Sequence, residues 1–147
     1  MLVSLWRSTS QVRAFHTLAH VRLAIGVDLN PGPKNPHVLY GNAHSLSQFK
    51  NGSFGTVFTN VLDHVLHIDR FAAEANRILE TNGTLIVHLG LNSLSQDKWA
   101  VHDVVTEHVA ILAQLAAAGF AAISRHSWRN KQRLVWLQIV FLKNDER

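Results

Sequence analysis

The chain contains no cysteine, which excludes a disulfide framework and thiolate chemistry and fits a reducing compartment. Its three prolines all fall within residues 31–36, so that connection must be irregular. No run of five or more like charges interrupts the sequence, although the formal net charge is +4; scattered basic residues give no strong nucleic-acid signal. No apolar run reaches the roughly 18 residues of a membrane span, so no membrane partner is expected. Residues 1–27 lack Asp and Glu but hold Arg7, Arg13 and Arg22. That is the composition of an organelle transit peptide. Against it, Leu2–Leu5 reads as a strand, and Val12, Phe15 and Leu18–Ala19 share one face of a helix over Ser10–His20, with Ser10 as its cap. The expected location is therefore the cytoplasm, with an organelle as the alternative.

What is present is alternation. At 147 residues and 47% hydrophobic, the chain suffices for one domain over residues 1–147 with a real core. Short buried-type runs recur at Leu23–Val27, His37–Tyr40, Phe54–Phe58 and Thr84–Leu89, each bounded by turn residues. Helical segments are expected over residues 69–79, stopped by Thr81-Asn82-Gly83, and from about Lys98 to Ala118. The buried side of the second is expected at Val101, Val104, Val105, His108, Leu112 and Leu115. Phe120–Trp128 and Leu134–Leu142 form a hairpin across a short basic connection. The fold class is α/β: a three-layer αβα sandwich on a mostly parallel, Rossmann-like sheet with an antiparallel last strand. In such sheets ligands sit beyond the carboxyl ends of the strands. There the sequence turns polar, at Asp28, at Asn42 and His44, and at Thr59, Asn60, Asp63 and His64.

These residues carry a resemblance to the class I S-adenosylmethionine-dependent methyltransferases, of the methyltransferase type 11 kind. Ile25-Gly26-Val27-Asp28 resembles that family's second strand and its acidic end. The resemblance implies a carboxylate that accepts hydrogen bonds from the cofactor ribose, with Leu29 beside it. Gly41-Asn42-Ala43-His44 resembles the family's Gly-Asp-Ala loop, with Asn42 in place of the aspartate that accepts from the adenine amino group. Asn60-Val61-Leu62-Asp63-His64 resembles the segment after the fourth strand, where Asn60 and Val61 line the methionine end. Asp63 and His64 could there form an acid–base pair, or be a helix cap and a packing histidine. The resemblance also implies the strand order 3-2-1-4-5-7-6, S-adenosylmethionine as cofactor, and a methyl acceptor whose identity, like the oligomeric state, is not readable.

The family's glycine-rich first loop is missing: Leu5-Trp6-Arg7-Ser8-Thr9-Ser10-Gln11 contains no glycine. A catalytically inactive methyltransferase-like binding or scaffold domain, or a fragment, is therefore the alternative to an enzyme. An NAD-type dinucleotide fold also suits Asp28 but lacks Gly-x-Gly-x-x-Gly. The ten histidines show no metal-ligand spacing, so no metal is expected. Trp128 and Trp136 with Arg125, Arg129, Lys131 and Arg133 could form a basic aromatic patch or a solvated hairpin tip.

Overall fold

The computed structural model describes residues 1–5, 9–18, 21–33, 35–91, 100–129 and 135–144. The glycine-free stretch Trp6–Ser8, the loop Asn92–Lys98 and the basic connection 130–134 lie outside the described residues. In chain order the elements are β1 (Leu2–Leu5), α1 (Thr9–Leu18), β2 (Ala24–Asp28), β3 (Val38–Tyr40), β4 (Phe54–Thr59), a 3₁₀ turn (Leu62–His64), α2 (Ile68–Ile78), β5 (Leu79–Gly90), α3 (Val104–Ala117), β6 (Phe120–Arg129) and β7 (Val135–Lys143). The seven strands form one sheet in the order β3-β2-β1-β4-β5-β7-β6, as the resemblance implied. The first five pair in parallel, and β7 runs antiparallel to both β5 and β6. Leu2–Leu5 is thus the middle strand of the parallel half, which binds the acid-free N-terminal stretch into the sheet.

The two faces of the sheet are covered unequally. Leu85, Val87 and Leu89 of β5 and Ile139 and Phe141 of β7 are buried in the main core, with Phe71, Ala75 and Ile78 of α2 and Ile111 and Leu115 of α3. The opposite face has only a small core, in which Val12 of α1 meets Leu2 and Ala24. Gly26 permits that packing, because a Cβ there would lie 2.7 Å from Val38 Cγ2 and 3.1 Å from Val12 Cγ2.

Three expectations need correction. Ser10 lies inside α1, which begins at Thr9. Thr81-Asn82-Gly83 does not separate helix from strand: β5 starts at Leu79, and the triplet is a bulge within it. Asn82 takes the left-handed conformation there (φ 59°), which Asn tolerates better than most residues. Finally, α3 begins at Val104, not near Lys98, because Asp103 caps it by accepting from Val105 N. Its buried side is Ile111 and Leu115, whereas Val101 and Val105 are exposed. The helix is apolar nearly all round, so periodicity could not fix its phase.

The irregular segment 46–51, which leads from β3 to β4, is fastened to α2 by one ion pair. Arg77 Nε donates to Glu74 Oε2 (2.8 Å), and Arg77 Nη2 donates to Glu74 Oε1 (2.7 Å) and Leu46 O (3.0 Å). Arg77 Nη1 donates to Phe49 O (2.9 Å) and Asn51 Oδ1 (2.8 Å). Glu74 Oε1 also accepts from Leu46 N. The Arg77 hydrogen bond, first among several causes, holds the Glu74 carboxyl below its ordinary value. A depressed carboxylate stabilises the fold above its unfolded value, near 4.5, and loses that contribution as pH falls through the folded value. Glu74→Gln should therefore be less stable than the parent at neutral pH, with the gap closing below about pH 4.5. Urea midpoints measured across that range check it; a gap independent of pH would refute it.

Candidate functional site

The site is built at the carboxyl ends of the parallel strands, where β2, β3 and β4 stop and the chain turns. There a cleft of about 150 Å³ is lined by Val27, Asp28 and Leu29 after β2, by Gly41, Asn42, Ala43 and His44 after β3, and by Val61, His64 and Val65 after β4. Most of the residues singled out in the sequence thus meet around one space. Asn60 and Asp63 stand next to it in the chain without lining it. At this size the cleft accounts for only part of a nucleoside-sized ligand, since small-molecule sites span roughly 300–1,000 Å³.

Each wall has a physical cause. Asp28 O accepts from Gly41 N (3.0 Å), and this bond holds the loop after β3 against the end of β2. Gly41 is required by close approach: a Cβ would lie 2.6 Å from Val27 Cγ1 and 2.7 Å from Gln48 Nε2. The Asp28 carboxylate receives Asn30 N at Oδ1 (2.7 Å), so the turn before Pro31 uses one oxygen. The second oxygen has no protein partner among the described residues.

The loop at 42–45 is a β-turn closed by Ser45 N donating to Asn42 O (2.8 Å). The Asn42 side chain belongs to that turn. Its Oδ1 accepts from His44 N (3.0 Å) and from His44 Nδ1 (2.8 Å), and an amide oxygen has two lone pairs. His44 Nε2 in turn accepts from His67 N at the start of α2 (3.1 Å). His44 is therefore the neutral Nδ1–H tautomer, joining the loop after β3 to α2. Burial foremost, then His67 and Arg70, lowers its pKa below the ordinary histidine value.

At the end of β4, Asn60 Oδ1 is buried with no hydrogen-bond partner among the described residues. Buried amide oxygens are nearly always paired, so this acceptor at the end of β4 is open to a donor from a ligand. Asp63 and His64 occupy the 3₁₀ turn, with His64 Nε2 3.5 Å from Asp63 Oδ2 and both partly exposed. Asp63 is not the cap of that turn; Val61 holds that position. Instead Asp63 O accepts from Val101 N (2.7 Å) and His102 N (3.1 Å). His102 then ties the turn to α3: its Nε2 donates to Val65 O (3.0 Å), and its Nδ1 meets Glu107 Oε2 (2.8 Å). That bond, ahead of the one from Asp103 N, holds the Glu107 carboxyl below its ordinary value. The sequence reading missed the Asp63–His102–Glu107 connection, because only the fold brings residues 63 and 102 together.

Among the described residues no group of His, Asp and Glu is placed to hold a metal ion, and no helix is long and apolar enough to cross a membrane.

A parallel sheet closed by an antiparallel hairpin, with an acidic residue ending β2 and a cleft over β2–β4, defines a nucleoside-cofactor α/β domain of methyltransferase topology. The family model "Methyltransferase domain" matches residues 10–87, more than half of the chain, and the protein belongs to that family. S-adenosylmethionine, the cofactor expected from the resemblance, stands with it. The fold is that of solved methyltransferases. A chain of the Haloferax volcanii complex between the Trm112 methyltransferase activator and a methyltransferase is 14% identical, with TM-score 0.77, over 99% of this chain and 82% of that one. The Methanosarcina mazei SAM-dependent methyltransferase is 16% identical, with TM-score 0.72, over 99% and 92%. The 16S rRNA (adenine(1408)-N(1))-methyltransferase of Catenulisporales acidiphilia is 14% identical, with TM-score 0.70, over 99% and 86%. No curated protein matches the sequence significantly.

Proposed function

We propose that the cleft binds S-adenosylmethionine and that the chain transfers its methyl group to an acceptor at the mouth beside Asp63 and His64. The carrying observation is the cleft that collects Asp28, Leu29, Asn42, Ala43, His44 and Val61, with Asn60, next to Val61 in the chain, holding a buried Oδ1 that has no partner among the described residues. These residues fit the group. Asp28 offers a carboxylate oxygen to ribose hydroxyls, the Asn42–Ala43 backbone faces the purine, and Asn60 Oδ1 accepts from an amino group. When bound, the cofactor supplies a sulfonium methyl already activated for transfer, so the protein has mainly to position an acceptor in line. His64 is near enough to the mouth to take a proton from the acceptor, and Asp63 can stabilise the resulting imidazolium. The cysteine-free composition supports a cytoplasmic setting for this activity.

A specific observation supports the second reading, a non-catalytic binding or scaffold domain. Asn42 Oδ1 is consumed by His44, so adenine would find no side-chain acceptor there. Together with a glycine-free first loop, this weakens cofactor binding on the order of a hundredfold. Calorimetric titration with S-adenosylmethionine and S-adenosylhomocysteine separates the two. Low-micromolar affinity supports the enzyme, and no heat with either ligand removes it. Asn60→Leu, which replaces the orphaned acceptor by an apolar group, should weaken binding about fivefold and leave the urea midpoint unchanged or higher.

A further inference from the structure

His44 bridges the cleft wall and the head of α2, and its bonds admit one protonation state. Its ring Nδ1 lies 2.8 Å from Asn42 Oδ1. That atom is an acceptor, since it also receives His44 N–H (3.0 Å), so Nδ1 carries the ring proton. Nε2 therefore keeps a lone pair, and the His67 backbone N–H donates to it (3.1 Å).

The need for this bond arises in α2. The first N–H groups of a helix have no partner within it. His67 is the N-cap of α2 and makes no side-chain cap bond. In a capping box, the residue three places on accepts from the N-cap N–H. Here that residue is Arg70, which has no acceptor. The imidazole of His44, 23 residues earlier in the chain, supplies the acceptor instead. The loop that gives Asn42, Ala43 and His44 to the cleft is thus held to α2 by a ring lone pair. Its two ends have ties of their own, at Gly41 to Asp28 O and at Leu46 to Glu74 and Arg77.

A proton on Nε2 would remove the lone pair and set N–H against N–H. The surroundings oppose the charge too. A helix N-terminus carries partial positive charge, Arg70 adds a full one, and the His67 ring lies 5.7 Å away, edge to face. Asp69 acts in the opposite sense. Asp28 and His64 line the same cleft from β2 and from the 3₁₀ turn. Burial first, then His67 and Arg70, lowers His44 below its ordinary value of 6.5. The folded chain therefore holds less proton at this ring than the unfolded chain does. Its contribution to stability is full above 6.5 and declines as pH falls below that value.

We infer that His44 is a positioning residue for the ligand cleft: its neutral ring latches the Asn42–Ala43 wall to the head of α2, and its protonation releases that wall and weakens binding of a nucleoside ligand. Because the loop ends stay tied, the change is confined to the residues that line the cleft. That the ligand is the cofactor rests on the proposed function; the latch itself does not.

The test uses the full chain and has two parts. Nitrogen-15 spectra of the histidine rings and backbone amides, without ligand, are followed from about pH 7.5 to about pH 5.5. An unprotonated Nε2 is expected at the upper end, with the His67 amide shifting in step as His44 takes its proton below 6.5. An Nε2–H tautomer, or a His67 amide that does not follow the ring, would overturn the inference. Calorimetric titration with S-adenosylhomocysteine over the same range should show affinity falling about fivefold in the parent, as the competent fraction shrinks. His44→Gln, whose amide oxygen accepts from His67 N at every pH, should lose less than about twofold. The His64 and Asp28 titrations are common to both proteins, so the difference belongs to His44, and equal falls would overturn the inference. Absence of binding by both proteins at every pH would overturn the proposed function, whereas the latch stands or falls by the spectra.

Discussion

Arg77→Ala is expected to lower the unfolding free energy by about 3 kcal/mol, read as a shift in the urea midpoint at constant slope. The guanidinium has five N–H groups, and Glu74, Leu46, Phe49 and Asn51 take all of them. Hydrogen bonds to a charged group are worth about 1.5–3 kcal/mol each when buried. Arg77 is 30% exposed and Glu74 14%, so solvent screens part of that and the sum of five would overstate the effect. The loss is nonetheless large, because Arg77 is not exchanging a surface pair for water. It closes a segment without regular structure onto α2, and without it the Phe49 carbonyl loses its Arg77 donor and the Leu46 carbonyl keeps only Phe49 N. Arg77→Lys should recover less than half, since an ammonium cannot bond a bidentate carboxylate and two carbonyls in different directions. A midpoint shift worth under about 0.5 kcal/mol for Arg77→Ala, the level of an ordinary exposed pair, would show that the segment is held by other means.

The sequence does not display this network. Glu74 and Arg77, three apart on a helix, look like a surface pair, and nothing near residues 46–51 says that their carbonyls will face it. The same limit governs the rings of Phe58, His88, Trp128 and Trp136. They lie on four strands, and only the pairing register shows that they share a face. The parallel strands were legible because β-branched and aromatic runs between turn residues are a local signal. Their order came with the family resemblance, not from periodicity. The phase and start of α3 were illegible for opposite reasons. Its surface is apolar on most sides, so no stripe stands out, and its first turn is set by Asp103, Glu107 and His102 acting on a distant 3₁₀ turn. At the cleft, the residue types were legible and their bonding was not. Asn42 stands where the family places an acceptor, yet the following His44 occupies its oxygen, a local side-chain bond that competes with any ligand.

Asp28→Ala is expected to weaken S-adenosylhomocysteine binding more than tenfold while leaving the fold intact. The backbone at this position is what the structure needs: Asp28 O receives Gly41 N, and β2 pairs with β3 through Asp28 and Tyr40. Both survive the substitution. The carboxylate has one fold-related bond, from Asn30 N at Oδ1, whose loss at an exposed turn costs about 0.5–1 kcal/mol. The remaining oxygen is the group that two ribose hydroxyls would share, and charge-assisted bonds of this kind are roughly twice as strong as neutral ones. Loss of one such interaction exceeds 1.4 kcal/mol, which is a factor of ten in affinity. Asp28→Asn discriminates further, because it keeps the Asn30 turn and an acceptor but removes the charge. It should fall between parent and alanine in affinity and match the parent in urea midpoint. Titration calorimetry of the three proteins checks the order. If Asp28→Ala binds as tightly as the parent, the ribose does not sit at the end of β2. If all three bind only weakly, the turn-bound Asn42 and the glycine-free loop dominate, and the non-catalytic reading gains the support that the enzyme loses.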